Sequence, residues 1–133
     1  VRSQVEAGAM IVLVPSCTEF VSGFHRVRSA AISRALENGI ATVQSPTVGS
    51  APWSPSVDYN RGAAGIFVPA EHGLSDDGVV AAGELDKPGW VFGEVDVGRL
   101  EQVRASGEMR NYHDWILQPG AGVLPPVEVV DLR

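Results

Sequence analysis

Cys17 is the only thiol of this 133-residue chain, and a cysteine thiolate is an intrinsically strong nucleophile. A reactive cysteine needs a nearby base or cation that lowers its pKa. His25 follows eight residues later, early in an expected helix, whereas Glu37 lies about three helical turns further along and is too distant to orient the imidazole. The spacing therefore leaves two hypotheses open: a Cys17–His25 nucleophilic pair, or a thiol that only packs or lines a pocket.

Other groups with chemical potential have structural explanations. Asp76 and Asp77 precede a glycine, which is typical of a turn rather than of a cation site. His72 and His113 have no partner at metal-ligand spacing, and a single cysteine excludes both an internal disulfide and a cysteine-based zinc site. The sequence "GAAG" (62–65) lacks the lysine of a phosphate loop. We expect neither a metal ion nor a cofactor.

Charge and hydropathy restrict the partners. The net charge is −6 and the isoelectric point is about 4.9, which argues against nucleic acid, since phosphate binding requires a basic surface. No stretch reaches the ~18 apolar residues of a membrane span, and the first residues have no signal-peptide core, so a cytoplasmic location is predicted. The chain starts with Val1 rather than methionine, and we expect it to be part of a longer or processed polypeptide.

The first half of the sequence predicts a βαβ unit. "MIVLV" (10–14) is a short apolar run typical of a strand buried on both faces, and Pro15 is expected to end it. Apolar residues at helical spacing follow, with Ser22 as the expected N-cap and either Asn38 or Gly39 as the left-handed C-cap. "IATVQ" (40–44) predicts a second strand, parallel to the first.

The second half predicts antiparallel structure. A proline-containing loop is expected over 45–62, and a loop of this length is usually functional or disordered. Turn sequences then separate three strand-like runs, which predict an antiparallel meander. A short helix and an aperiodic tail complete the chain. The expected strands are 64–68, 79–85 and 90–97, the helix is 97–106, and the tail is 107–133.

The order of these segments resembles the carbon–nitrogen hydrolase (nitrilase) superfamily. "EAGAMIVLVPS", "RALENGIATVQS", "GAAGIFVPAEHG", and "DDGVVAAGEL" with "PGWVFGEVDV" occur in the family's order and at its spacing. The resemblance implies an α/β fold that is half of an α-β-β-α sandwich, with residues 1–106 as the C-terminal half of the family domain. It also implies hydrolysis of amide or nitrile bonds through a cysteine thioester.

The resemblance places the family's catalytic glutamate, lysine and cysteine upstream of Val1. Cys17 aligns with a position after the following strand, and Lys87 lies in a turn, so this chain alone is expected to be inactive. Ligands bind at the carboxyl ends of parallel strands, and the family's post-strand segment lines its substrate pocket. The candidate pocket residues are therefore Ser16, Cys17, Thr18 and Glu19, together with His25 and Trp53.

Half of a sandwich leaves one sheet face bare. We expect that face to be covered by the missing N-terminal half of the domain, by identical subunits, or by both, with residues 107–133 extended against such a neighbour. Two other functions remain open: a non-catalytic interaction module with the same half-fold, and an independent Cys17–His25 hydrolase.

Overall fold

A mixed β-sheet organises the chain, in a computed structural model that describes residues 1–131. Its four strands lie in the order β1-β2-β5-β6, and β3 and β4 form a separate hairpin. The mixed α/β fold predicted from the sequence is confirmed. The elements in chain order are α1 (Arg2–Glu6), β1 (Ile11–Ser16), α2 (Val21–Asn38), β2 (Ala41–Pro46), β3 (Gly49–Ser50), β4 (Tyr59–Asn60), β5 (Gly65–Phe67), β6 (Val79–Ala82), α3 (Val97–Ser106) and a 3₁₀ helix (His113–Leu117).

The predicted βαβ unit is present. β1 and β2 are parallel, with Ile11 opposite Ala41, and α2 connects them and ends at Gly39, whose φ of 62° is the expected left-handed cap. Two details differ. The N-cap of α2 is Phe20, which has extended backbone angles, so Ser22 already lies inside the helix. Pro15 lies within β1 rather than ending it, because β1 is an edge strand and one side of its backbone needs no ladder partner.

The predicted meander has two strands instead of three. β5 pairs antiparallel with both β2 and β6, but residues 90–96 form no strand. This segment crosses the sheet face: a Cβ atom on Gly93 would lie 3.2 Å from Ile66 Cδ1, and Val91 Cγ2 lies 3.1 Å from the Cβ position of Gly83. The alternation of its residues therefore reflects packing onto a face, not membership of a ladder.

Two clusters form the core. Ala31, Ala35 and Phe67 pack between α2 and one face of the sheet. Ala41, Val68 and Leu100 pack where α3 covers the amino end of β2. The predicted helix over 97–106 is thus confirmed, and it closes the end of the sheet opposite the carboxyl edge.

The other sheet face is open near β1. Leu13 is 73% exposed and Ile11 is 46% exposed, so the expectation that 10–14 is buried on both faces is wrong for residues 1–131. The reason is that α2 covers one face only, and residues 91–95 reach over β5 and β6 but not over β1. Whether this sheet is half of a sandwich stays a prediction.

The beginning of the tail lies against the body of the chain. The Arg2 guanidinium lies 4.1 Å from the ring centroid of Tyr112 and 4.9 Å from that of Trp115, and it donates to the Tyr112 carbonyl. The Arg104 guanidinium also lies over the Tyr112 ring, 4.7 Å from its centroid. Within residues 1–131, no helix has both the length and the apolar character that crossing a bilayer requires.

Candidate functional site

The candidate site lies at the carboxyl edge of the two parallel strands. β1 ends at Ser16 and β2 at Pro46, directly opposite each other, and the Thr47 N–H donates to the Ser16 carbonyl at 2.9 Å. β5 runs antiparallel to β2, so residues 61–64 arrive at the same edge. Loops from three segments therefore converge there, at the end of the sheet that α3 does not cover.

The four consecutive candidate residues differ in burial. Cys17 and Glu19 are exposed, whereas Ser16 and Thr18 are partly buried. Thr18 Oγ1 donates to the Arg61 carbonyl at 2.8 Å, and the Arg61 N–H donates to the Thr18 carbonyl at 2.7 Å. The loop after β1 is thus tied to the segment before β5 by a reciprocal pair of hydrogen bonds.

The structure does not join the other two candidates to this loop. His25 is exposed on α2, and its ring contacts Phe24 with the centroids 5.0 Å apart. Trp53 is 80% exposed in the loop between β3 and β4. Among residues 1–131, no hydrogen bond or ion pair links Cys17 to His25 or to Trp53, so the hypothesis of a Cys17–His25 pair gains no geometric support.

Arg61 and Asp86 belong to this edge, although no pattern in the sequence indicated them. Arg61 Nε donates to Asp86 Oδ2 at 2.7 Å, and the Gly62 N–H donates to Asp86 Oδ1 at 3.2 Å. The hydrogen bond from Arg61 holds the pKa of Asp86 below its usual range, and the same contact raises the pKa of Arg61. The sequence "DKPG" signalled only a turn, and nothing local to it pointed to a partner 25 residues earlier.

Buried polar atoms without partners lie beneath the same edge. Gln44 is 1% exposed, and neither its amide nitrogen nor its amide oxygen has a hydrogen-bond partner within residues 1–131. The Ser16 hydroxyl, two residue pairs further along the parallel ladder, is also without a partner there. Buried polar atoms are usually hydrogen-bonded. These groups are therefore able to bond to atoms outside the described part of the chain.

The described residues do not assemble a catalytic centre by themselves. Lys87 is exposed, and its backbone N–H closes a turn with the Glu84 carbonyl. Across residues 1–131, no three histidine, cysteine or carboxylate side chains are grouped as a metal site would require. At this edge lie an exposed cysteine thiol, the Thr18 hydroxyl bonded to the Arg61 carbonyl, and the ion pair of Arg61 with Asp86.

Comparison with known proteins yields one curated relative. Over 113 residues, the chain is 36% identical to the probable hydrolase YhcX of Bacillus subtilis (strain 168). The match covers 85% of this chain but 22% of that protein, so the chain spans about a fifth of the length of the curated relative it matches. No family model matches the chain.

Proposed function

We propose that this chain forms the C-terminal part of a carbon–nitrogen hydrolase that acts on amide or nitrile bonds. The similarity to a protein named a probable hydrolase is the observation that carries the proposal. The order of the sequence motifs supports the finer assignment to carbon–nitrogen bonds. The sheet edge adds a structural argument, because its loops converge on Ser16 and Thr18 where a parallel pair ends.

The role of these residues in the reaction is to form one wall of the pocket. A cysteine upstream of Val1 supplies the thiolate, which attacks the amide or nitrile carbon. An amide substrate releases ammonia or an amine, which takes up a proton as it leaves, when the thioester forms. A nitrile first adds the thiol to give a thioimidate, and one water converts this to the thioester with release of ammonia. In both cases a further water hydrolyses the thioester to a carboxylic acid and restores the thiol. Thr18 and Cys17 border the acyl group in this scheme, and Cys17 does not form the thioester.

The open sheet face is the proposed contact with the upstream half of the domain. Ile11 and Leu13 are exposed there, and Trp90 and Phe92 are 89% and 82% exposed on the segment that crosses the same face. Apolar side chains clustered on one surface are typical of a face that another segment covers. Identical subunits are a second proposed partner, through the apolar positions of the tail.

The test uses the full-length protein that carries these residues. It is incubated with short-chain amides and nitriles, the release of ammonia and acid is measured, and acyl adducts are mapped to tryptic peptides by mass spectrometry. We expect turnover, and an adduct on a cysteine upstream of Val1. The variant Cys17→Ser is expected to keep both turnover and the upstream adduct, because Cys17 does not form the thioester.

Each alternative predicts a different result. An adduct on Cys17 that is lost in Cys17→Ser and in His25→Ala would favour an independent Cys17–His25 hydrolase. The absence of turnover with every amide and nitrile, by a protein that is folded, would favour a non-catalytic interaction module.

A further inference from the structure

We propose that Arg61 and Asp86 are positioning residues that act together as a latch, holding the loop of residues 17–20 in the shape that it has as a pocket wall. The part of this inference that concerns substrate rests on the proposed function. The part that concerns the loop rests on the contacts alone. We use "latch" for the contacts that connect Thr18, Arg61 and Asp86.

The first half of the latch joins the segment before β5 to the turn after β6. The Arg61 guanidinium contacts one carboxylate oxygen of Asp86 through two nitrogens, with Nε at 2.7 Å. The other carboxylate oxygen accepts the Gly62 N–H, and the Asp86 N–H donates to the Gly62 carbonyl at 2.7 Å. The carboxylate is thus satisfied on both oxygens, which fixes the direction of the Arg61 side chain.

The second half joins Arg61 to the candidate pocket loop. Its backbone exchanges two hydrogen bonds with Thr18, one through the threonine hydroxyl and one between backbone atoms. The Cβ position of Gly23 on α2 lies 3.0 Å from Thr18 Cβ, so α2 packs closely against Thr18. Thr18 therefore has little room to move while Arg61 stays in place.

The loop has few other restraints. Thr18 is the one side chain of residues 17–20 that forms a hydrogen bond within the described chain, and Cys17, Glu19 and Phe20 are exposed. A loop with one anchored side chain follows the position of that anchor. The conformation of the candidate pocket wall thus depends on Arg61, and through it on Asp86, which lies 68 residues further along the chain than Thr18.

The geometry at Asp86 distinguishes this pair from an incidental surface ion pair. Asp86 has a φ of 62° and is the one non-glycine residue with positive φ among residues 1–131. Non-glycine residues adopt this conformation rarely, and it persists when surrounding contacts impose it. Arg34 and Glu37, by contrast, pair one turn apart on α2 with both side chains about half exposed, where an ion pair contributes little.

Hydrogen exchange on the full-length protein tests the latch. The variant Asp86→Asn keeps a residue that tolerates positive φ but removes the charge that pairs with Arg61. We expect amide exchange at Arg61 and Gly62 to accelerate several-fold, while the amides of the β1–β2 ladder exchange as before. Asp76→Asn, in an exposed turn, is the matched control and is expected to change neither set. Arg61→Lys retains the charge without the planar two-nitrogen contact, and we expect partial acceleration.

Kinetics test the link to substrate. We expect Asp86→Asn to raise KM for the amide or nitrile more than it lowers kcat, because a displaced pocket wall weakens binding in both the ground state and the transition state. Unchanged exchange at Arg61 and Gly62 would overturn the latch. Faster exchange with unchanged KM would overturn the pocket-wall role. If the wild-type protein hydrolyses neither substrate class, the proposed function fails, and the exchange result still decides the latch.

Discussion

At the scale of single residues, the carboxylate of Asp86 gives a prediction about pH. The hydrogen bond from Arg61, helped by the Gly62 N–H, holds the pKa of Asp86 below its usual range. A carboxylate with a lowered folded-state pKa adds stability above its unfolded pKa of about 3.9, and the protein loses that stability as the pH falls through the folded value. We expect the melting temperature of wild type to exceed that of Asp86→Asn between about pH 5 and 7, and the difference to shrink below about pH 4.

The measurement is thermal denaturation of both proteins by circular dichroism across that range. Asp77 and Asp114 also have lowered pKa values, from hydrogen bonds within their own turns, so both proteins lose stability in acid. The difference between the two proteins isolates Asp86. A difference that grows as the pH falls would contradict the pairing with Arg61.

The sequence predicts those parts of the site whose residues are neighbours in the chain, but not the contacts between residues far apart in it. Ser16 to Glu19 could be placed at a strand end because a short apolar run and the following helix signal are local features. Arg61 and Asp86 could not, since their contact depends on how β5 and β6 pair. Cys17 is the single cysteine and was therefore the first candidate, but the residue that anchors its loop is Thr18.

At the scale of elements, β5 gives a prediction about packing. The Phe67 ring lies against Gly65 two residues earlier on the same strand, and a Cβ atom on Gly65 would lie 3.0 Å from Phe67 Cε1 and would overlap Cζ. Phe67 is 1% exposed, so its ring cannot swing out to make room. We expect Gly65→Ala to lower the free energy of unfolding by about 1–3 kcal/mol.

Urea denaturation measures the effect, with Gly122→Ala as the control. Gly122 has no atom within 4 Å of its Cβ position and no left-handed backbone, so its replacement is expected to be neutral or slightly stabilising. Equal loss of stability in both variants would mean that overlap with Phe67 does not set the cost of Gly65→Ala.

The tail gives a second prediction at this scale. Arg2 lies between Tyr112 and Trp115 and bonds to the Tyr112 carbonyl. We expect Arg2→Ala to accelerate hydrogen exchange over residues 110–118 and to leave the strands unaffected, because the guanidinium is the main link from α1 to this segment. Arg26→Ala, on the exposed side of α2, is the control. Faster exchange throughout the strands of Arg2→Ala would instead indicate general destabilisation.

The elements that follow from nearby residues in the sequence were predicted correctly. Those that depend on contacts with distant parts of the chain were not. α2 and the parallel pair follow from apolar periodicity and the Gly39 cap. Residues 90–96 alternate as a strand does, but their partner is a sheet face, and alternation alone does not distinguish a face from a ladder. The continuous apolar run at 10–14 suggested burial on both sides because sequence does not reveal what covers the second face.

At the scale of the whole molecule, the open face gives a prediction about the association proposed above. Leu13 lies on this face and is 73% exposed, which means that residues 1–131 bury little of it themselves. An unpaired carboxylate in an apolar contact costs several kcal/mol, but in water it costs almost nothing. A charge placed at Leu13 is therefore expected to leave folding almost unchanged but to weaken assembly.

We expect Leu13→Asp to leave the folding of the 133-residue chain nearly unchanged, and to weaken its association with the upstream half by roughly a hundredfold, or about 3 kcal/mol. Circular dichroism melting of the isolated chain measures the first effect, and titration with the separately expressed upstream half measures the second. Ser33→Asp adds the same charge on the exposed side of α2 and is expected to alter neither. A large drop in the melting temperature of the isolated chain would mean that Leu13 is buried in solution. Unchanged affinity would mean that the upstream half binds elsewhere, since a charge on a covered apolar face weakens the contact.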